Sequence, residues 1–294
     1  MSRHPISEAL RAIPRRVLPR HMKAWLKGVR VRYARMVHPF GPGDVKRGLI
    51  EVGVVPGDIL MVHSSFDSFA GFRGTPAQII RTLQDVVGPA GTVLMPTLPF
   101  SGSVVEYAAT DPLFDVRRTV SKAGLITEVF RRSPQVIRSL HPTHSVAAWG
   151  AKARELIADH EVAGTPCGRA TPWGRLLDYD AKVLFLGVPI GTMTFFHAIE
   201  EALAPALPIP VFEPGEYALR YRDEQGGTHV VRQRLFSLRL ARLRDPSLLV
   251  KELTRGGRVR GVRVARLRLL QVRARDAFDL ARALARRGLF CHSR

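Results

Sequence analysis

Residues 57–66 read GDILMVHSSF: a turn, four consecutive apolar side chains, then a histidine and two serines. A short uninterrupted apolar run bounded by turn residues is the pattern of a strand buried on both faces. Residues 76–87 follow with apolar side chains at helical spacing, and GPAGTVLMPT at residues 88–97 supplies a Gly-Pro turn and a second apolar strand, 92–95. Strand, helix and strand in this order make a parallel crossover unit, in which ligands sit beyond the carboxyl ends of the strands. Both strands release polar residues there, Ser64 and Ser65 from the first and Thr97 from the second. The predicted fold class is α/β, a three-layer arrangement of a mixed, largely parallel sheet with flanking helices.

Further along the chain the patterning predicts a helix over 122–132, a short strand over 146–148 and a clear strand over 182–186 in AKVLFLG. A helix over 194–203 then puts His197 and Glu200 one turn apart on one face. A Pro-rich stretch at 205–214 leads to two strands, 216–222 and 228–234, split by DEQGG as an antiparallel hairpin. A basic helix, a strand near 259–265 and a final helix over 274–287 complete the chain. Toward the other end, residues 14–37 place Leu18, Met22, Trp25, Val29 and Tyr33 at helical spacing among Arg and Lys, which predicts a basic amphipathic N-terminal helix. The turn-forming HPFGPGD at 38–44 ends it, so the chain divides into a basic extension, 1–40, and one large unit, 41–294.

The formal net charge of +20 raises nucleic-acid binding, and its distribution argues against it. Residues 1–50 hold 12 Lys+Arg against 2 Asp+Glu and residues 232–294 hold 18 against 4, whereas residues 51–231 hold 15 against 19. The charge belongs to the two ends, where it suits a membrane surface or another polyanion, and Arg outnumbers Lys 38 to 7 throughout, which also fits a plain compositional habit. No apolar run reaches the roughly 20 residues of a membrane-spanning helix, and no signal-peptide pattern opens the chain, so a cytoplasmic protein is expected. Cys167 and Cys291 are too few for a disulfide framework and have no metal-ligand spacing.

Titratable groups concentrate in LHPTHSVAAWG, residues 140–150, and FFHAIEE, residues 195–201. His141 precedes a proline, which biases its backbone away from helix and suits either a held catalytic ring or an ordinary turn histidine. His141 and His144 form an HxxH pair without a third ligand, so no metal is expected. Glu201 fits a dipole-complementing role near a helix start, while Glu200 shares a face with His197, the arrangement by which a carboxylate orients a general base.

Five segments taken in order resemble the aminoglycoside 3-N-acetyltransferase (antibiotic N-acetyltransferase) family: residues 57–66, 88–97, DPLFDVRRTVSKAGLITEVFRR at 111–132, RSLHPTHSVAAWG at 138–150, and VLFLGVPIGTMTFFHAIEE at 183–201. A weaker echo at 256–281 extends the resemblance, and only about the first 40 residues lie outside it. The resemblance implies a non-GNAT acetyltransferase architecture and direct acetyl transfer from acetyl-CoA, a co-substrate, to the amine of an aminoglycoside or other amino-sugar, a small-molecule acceptor. It maps the central imidazole onto His141, as base, and the helical pair onto His197 and Glu200. Ser64, Ser65, Thr97 and Ser145, with Ser121 and Lys122, are the expected donor contacts, and Asp111 and Asp115 are expected to grip a cationic acceptor. The competing hypothesis is a non-catalytic member that binds polyanion or membrane through its basic ends.

Overall fold

The computed structural model describes residues 20–292. Its strands in chain order are β1 (Ile59–Ser64), β2 (Thr92–Pro96), β3 (Leu113–Asp115), β4 (Ile137–Arg138) and β5 (Val146–Gly150). The remainder are β6 (Lys182–Leu186), β7 (Tyr217–Arg222), β8 (Thr228–Gln233), β9 (Arg260–Val264) and β10 (Leu267–Arg273). Seven form one sheet in the order β4-β5-β2-β1-β6-β10-β9, and β3-β7-β8 form a smaller one.

The first crossover unit forms as its sequence dictates. Thr75 caps the helix Pro76–Val87 reciprocally with Gln78, and Pro76 occupies a first-turn position where its missing N–H costs nothing. The helix buries Ile79, Ile80, Leu83, Val86 and Val87 and returns the chain to β2, which pairs parallel to β1 with Leu60 opposite Val93. Strand β1 is central and buried, so its side chains alternate between two cores. Ile59 and Met61 join a cluster with Trp173, Phe185 and Phe195, while Leu60 and Val62 join another with Leu83 and Phe130. Each such fully buried side chain contributes about 1.5–3 kcal/mol.

The sheet departs from the largely parallel expectation. Strands β2, β1 and β6 are parallel, but β5 runs antiparallel to β2, β4 to β5, β10 to β6 and β9 to β10. The β9 and β10 strands are joined by a tight turn through Ala265 and Arg266, with Ala265 at φ 52°, and a tight turn permits only antiparallel pairing. At the β5 end Gly150 sits at φ 111°, and a Cβ there would lie 2.2 Å from the Gly91 carbonyl oxygen, so glycine alone closes that edge without a clash.

Two predicted helices begin two or three residues late. The helix expected from 122 spans Leu125–Arg131 because Gly124 stands at φ 133° immediately before it, and the helix expected from 194 spans Phe196–Leu203. The hairpin of β7 and β8 pairs antiparallel with Tyr217 opposite Gln233.

A helix runs Arg20–Val37, while Leu18 and the start of the expected N-terminal segment lie outside the described residues. Its end is seated: Ala34 is buried, and Phe40 packs against Phe69 and Phe72. Among the described residues no helix is long and apolar enough to cross a membrane.

Candidate active site

The parallel strands β1, β2 and β6 end on one side of the sheet, and the polar residues gather there. A groove of about 490 Å³ is lined by His63, Ser64, Ser65, Leu98, Gly124 and Thr194, among others. Two atoms at its wall, His63 Nε2 and Ser64 Oγ, are buried without a hydrogen-bond partner. Such orphans cost about 1–3 kcal/mol each unless a ligand or water satisfies them. The His63 ring stacks on Phe185, and burial lowers its pKa to about 4, so it is neutral at pH 7.

Thr194 connects the groove to the next group, because its carbonyl accepts the His197 N–H at 3.0 Å at the start of the helix Phe196–Leu203. One turn on, Glu200 is 1% exposed and fully engaged. Its Oε2 lies 3.1 Å from His197 Nδ1, Arg244 donates Nε to Oε1 and Nη2 to Oε2, both at 2.8 Å, and His292 Nε2 donates to Oε1 at 2.9 Å. Burial alone would raise the Glu200 carboxyl, but the hydrogen bonds from His197, His292 and Arg244 outweigh it and hold it well below the usual carboxylate range. Arg244 Nη2 also lies 3.3 Å from Nδ1, but the shorter contact with an ionised carboxylate, which only accepts, favours the hydrogen on Nδ1, and in that tautomer the Nε2 lone pair is free to take a proton. Burial, and then the Arg244 charge, lower the His197 pKa despite Glu200, which keeps the ring neutral. The ring rests on Phe236 at 4.4 Å, and its side chain is 18% exposed, so it is the one member of the pair that reaches solvent.

His141 stands differently from its expected role. It is fully buried and does not line this groove. Its Nδ1 accepts the backbone N–H groups of Thr143 and His144 at 3.2 and 3.0 Å, the geometry of a ring that fixes the turn after Pro142. The structure nevertheless links it to His197 through a row of rings: His160 to His141 at 4.4 Å, His141 to His144 at 6.2 Å, His144 to His197 at 5.4 Å. His160 is itself held, its Nε2 by the Pro166 carbonyl and its Nδ1 by Ser139 Oγ, both at 2.9 Å.

The expected donor contacts divide. Ser64 and Ser65 line the groove and exposed Lys122 stands beside it, its N–H bound to the Leu98 carbonyl. Thr97 and Ser145 turn inward onto Arg138, which donates Nε to both hydroxyls at 3.1 Å, Nη2 to the Thr97 carbonyl and Nη1 to the Thr119 carbonyl, each at 2.6 Å. Ser121 Oγ meets Thr127 Oγ1 at 3.0 Å within the turn before Leu125. The two aspartates are also spoken for: Arg220 grips Asp111, and Asp115 Oδ1 caps the backbone N–H groups of Arg117 and Arg118. Both carboxylates are thus already engaged within the chain, Asp111 in an exposed ion pair. Cys167 is buried, and burial pushes its thiol well up, away from nucleophile chemistry. Among the described residues no group of three or more His, Cys, Asp or Glu is placed to hold a metal ion.

Buried neutral histidines make stability acid-sensitive. Burial lowers His63 and His141 from 6.5 to about 4 and depresses His144 and His160 as well. Groups with depressed folded pKa values contribute stability that is complete above pH 6.5 and is lost as pH falls toward 4, on the order of 3 kcal/mol for each of the first two. Glu201, raised to about 7 by burial, runs the other way and offsets one of them. Urea midpoints should therefore fall steeply between about pH 6.5 and pH 4.5; a flat profile would show that the rings are hydrated.

Arg244, His292, Arg138 and His160 carry no sequence signal of their own, since each meets its partners only through the fold. Comparison with known proteins assigns the chain to a family. The profile of the aminoglycoside 3-N-acetyltransferase family matches residues 61–286. The chain belongs to this family. Aminoglycoside N(3)-acetyltransferase IX of Micromonospora chalcea is 33% identical over 181 residues, 55% of this chain and 63% of that protein. Aminoglycoside N(3)-acetyltransferase IV of Salmonella sp is 34% identical over 152 residues, 52% of this chain and 55% of that protein. The chain thus spans less than two thirds of these relatives' lengths.

Solved family structures superpose more widely. Aminoglycoside acetyltransferase AAC(3)-Xa gives a TM-score of 0.71 at 28% identity, covering 88% of this chain and 96% of that one. A mutant of AAC(3)-IVa in complex with a gentamicin gives 0.68 at 26% identity, covering 86% and 92%. AAC-IIIb, in a binary complex with CoASH, gives 0.71 at 24% identity, covering 87% and 99%, and shares the fold.

Proposed function

We propose that the chain transfers acetyl from acetyl-CoA to an amine of an aminoglycoside or other amino-sugar, with His197 as the general base. The observation that carries this reading is the neutral His197 ring, braced through Nδ1 by a Glu200 held ionised, one turn of chain from the groove that contains the orphaned Ser64 Oγ and His63 Nε2. Family membership and the gentamicin complex of a relative support the acceptor class, and the acetyltransferase names of the relatives favour a catalyst over a non-catalytic scaffold.

Acetyl-CoA supplies an activated thioester carbonyl. The residues of this chain do the rest. An amine with a Lys-like pKa is neutral in only roughly one molecule in a few thousand at pH 7, so its proton must be removed before or during attack. The ammonium form first releases one proton to solvent; His197 Nε2 then accepts a second from the amine nitrogen as it bonds to the carbonyl carbon, and Glu200, itself held by Arg244 and His292, stabilises the imidazolium that forms. When the C–S bond breaks, the same proton passes to the departing thiolate. Ser64 and Ser65, with Lys122 beside them, are the groups available to the pantetheine arm and to the carbonyl oxygen as its charge develops.

Incubation with acetyl-CoA and a panel of amino-sugars and aminoglycosides, read by thiol release, tests the reading. Because His197 acts unprotonated and its pKa is depressed, the enzyme's own acid limb of kcat/KM, separated from that of the substrate by comparing acceptors of different amine pKa, should lie below pH 6.5. An acceptor-independent limb above pH 7.5 would point to a different base.

We read residues 1–40 as a basic extension of the transfer unit 41–294. On the helix Arg20–Val37, Trp25 is 62% and Met36 81% exposed among arginines, which supports peripheral contact with an anionic membrane surface. Trp25→Ser should then weaken cosedimentation with anionic vesicles; unchanged binding would remove this reading.

A further inference from the structure

A second groove, of about 810 Å³, is lined in part by the helix Phe196–Leu203, and its chemistry is not that of a polycation site. Ala198, next to His197, and Glu201, one turn on, form part of its wall. Phe212, also in the wall, stacks on Phe236 at 5.5 Å, and Phe236 carries the His197 ring at 4.4 Å. The groove is therefore one aromatic pair from the proposed base.

Four arginines line it, and two of them are uncommitted. Arg169 pairs with Asp178, and Arg275 donates to the Leu177 carbonyl. Arg234 and Arg282 are exposed, and among the described residues neither is in an ion pair. Both are nonetheless oriented: the Arg234 guanidinium lies 4.3 Å from the centre of the Phe212 ring and that of Arg282 lies 5.8 Å from Phe278, two rings of the same groove. A guanidinium laid over an aromatic face keeps its N–H edge available for an anion and loses less freedom when one binds. The carboxylates offset them only in part, Glu201 being near enough to feel the Arg234 charge. Asp178 is taken, and Glu201 accepts the Cys167 N–H at 2.7 Å in a largely buried position that raises its pKa to about 7, so at neutral pH much of it is uncharged and able to donate. Asp279 is the remaining acid. A polycationic aminoglycoside would meet two free guanidiniums here, which is repulsive, whereas a phosphate or carboxylate would find two preoriented forks.

We propose that the arginine-lined groove between Phe212 and Phe278 holds the anionic group of the acceptor, so that the preferred substrate is an amino-sugar carrying a phosphate or carboxylate. This rests on the amine-acetylation reading above and narrows its substrate class. Arg234 and Arg282 select through the anion, and His197 takes the proton of the amine.

The test compares glucosamine 6-phosphate, glucosamine and tobramycin in thiol release with acetyl-CoA, alongside calorimetric binding of glucosamine 6-phosphate, for the wild type and for a chain carrying both Arg234→Gln and Arg282→Gln. The expected result is kcat/KM for the phosphorylated sugar about tenfold or more above the other two, falling by a similar factor in the double variant through KM, with glucosamine unchanged. Turnover of tobramycin in preference, unaffected or improved by the substitutions, overturns the inference and leaves the acetyltransferase reading standing. Glucosamine 6-phosphate binding that weakens in the double variant and with added salt, but without turnover of any amine, keeps the anion site and removes the transfer reading. Binding that the substitutions leave unchanged overturns the anion site whatever the activity.

Discussion

His197→Asn is expected to lower kcat for acetyl transfer by about 10³-fold, within the range general bases contribute, with little change in KM. Asparagine retains a polar group near Glu200 but offers no nitrogen lone pair to take the amine proton. Because the side chain is partly exposed at a helix start, the fold should survive, and a retained thermal shift with coenzyme A would document it. The contrast is with His141→Asn. That ring is fully buried and fixes a turn through two backbone N–H groups, so its replacement should appear first as a lower urea midpoint. If His141→Asn removed activity at unchanged stability while His197→Asn did not, the base would have been assigned to the wrong imidazole.

The second large effect concerns stability. Arg138 is a buried cation without a carboxylate bound to it directly, held by the Thr97 and Thr119 carbonyls and the Thr97 and Ser145 hydroxyls and lying over Phe114 at 4.6 Å. Burial lowers its pKa to about 9, so it stays charged at pH 7. It joins the ends of β2 and β4, the start of β5 and the loop after β3, the segments that flank His141 and His144. Arg138→Ala strips these acceptors of their donor and empties the space over Phe114, at a cost of roughly 3–5 kcal/mol. Arg138→Lys should recover only part, since one ammonium cannot serve four acceptors in a plane. Equilibrium urea unfolding measures both. A loss under about 1 kcal/mol for the alanine variant would mean that the buried charge costs nearly as much as its bonds return.

What could be read from the chain follows from the range of the interactions. Strand β1, the helix Pro76–Val87 and strand β6 were legible because apolar runs, Pro76 and the Thr75–Gln78 cap are local signals. Strand β10 was obscured because Arg268 and Arg273 interrupt its apolar side chains, although Leu269, Leu270 and Val272 are buried. The His197–Glu200 pair was legible from its three-residue spacing on a helix, whereas Arg244 and His292 lie 44 and 92 residues from Glu200 and reach it only through packing. Thr97 and Ser145 looked like ligand contacts because they stand at strand ends; their true partner, Arg138, is itself an arginine among 38 and carries no mark in sequence.

The measurement that bears most directly on the central claim is a crystal structure of the ternary complex with coenzyme A and an acetylatable amino-sugar. The account predicts the thiol at the Ser64–Ser65 end of the groove and the acceptor amine within about 3.2 Å of His197 Nε2, directly or through one water. An amine bound with its nitrogen away from His197, or a thiol entering from another face of the sheet, would contradict it.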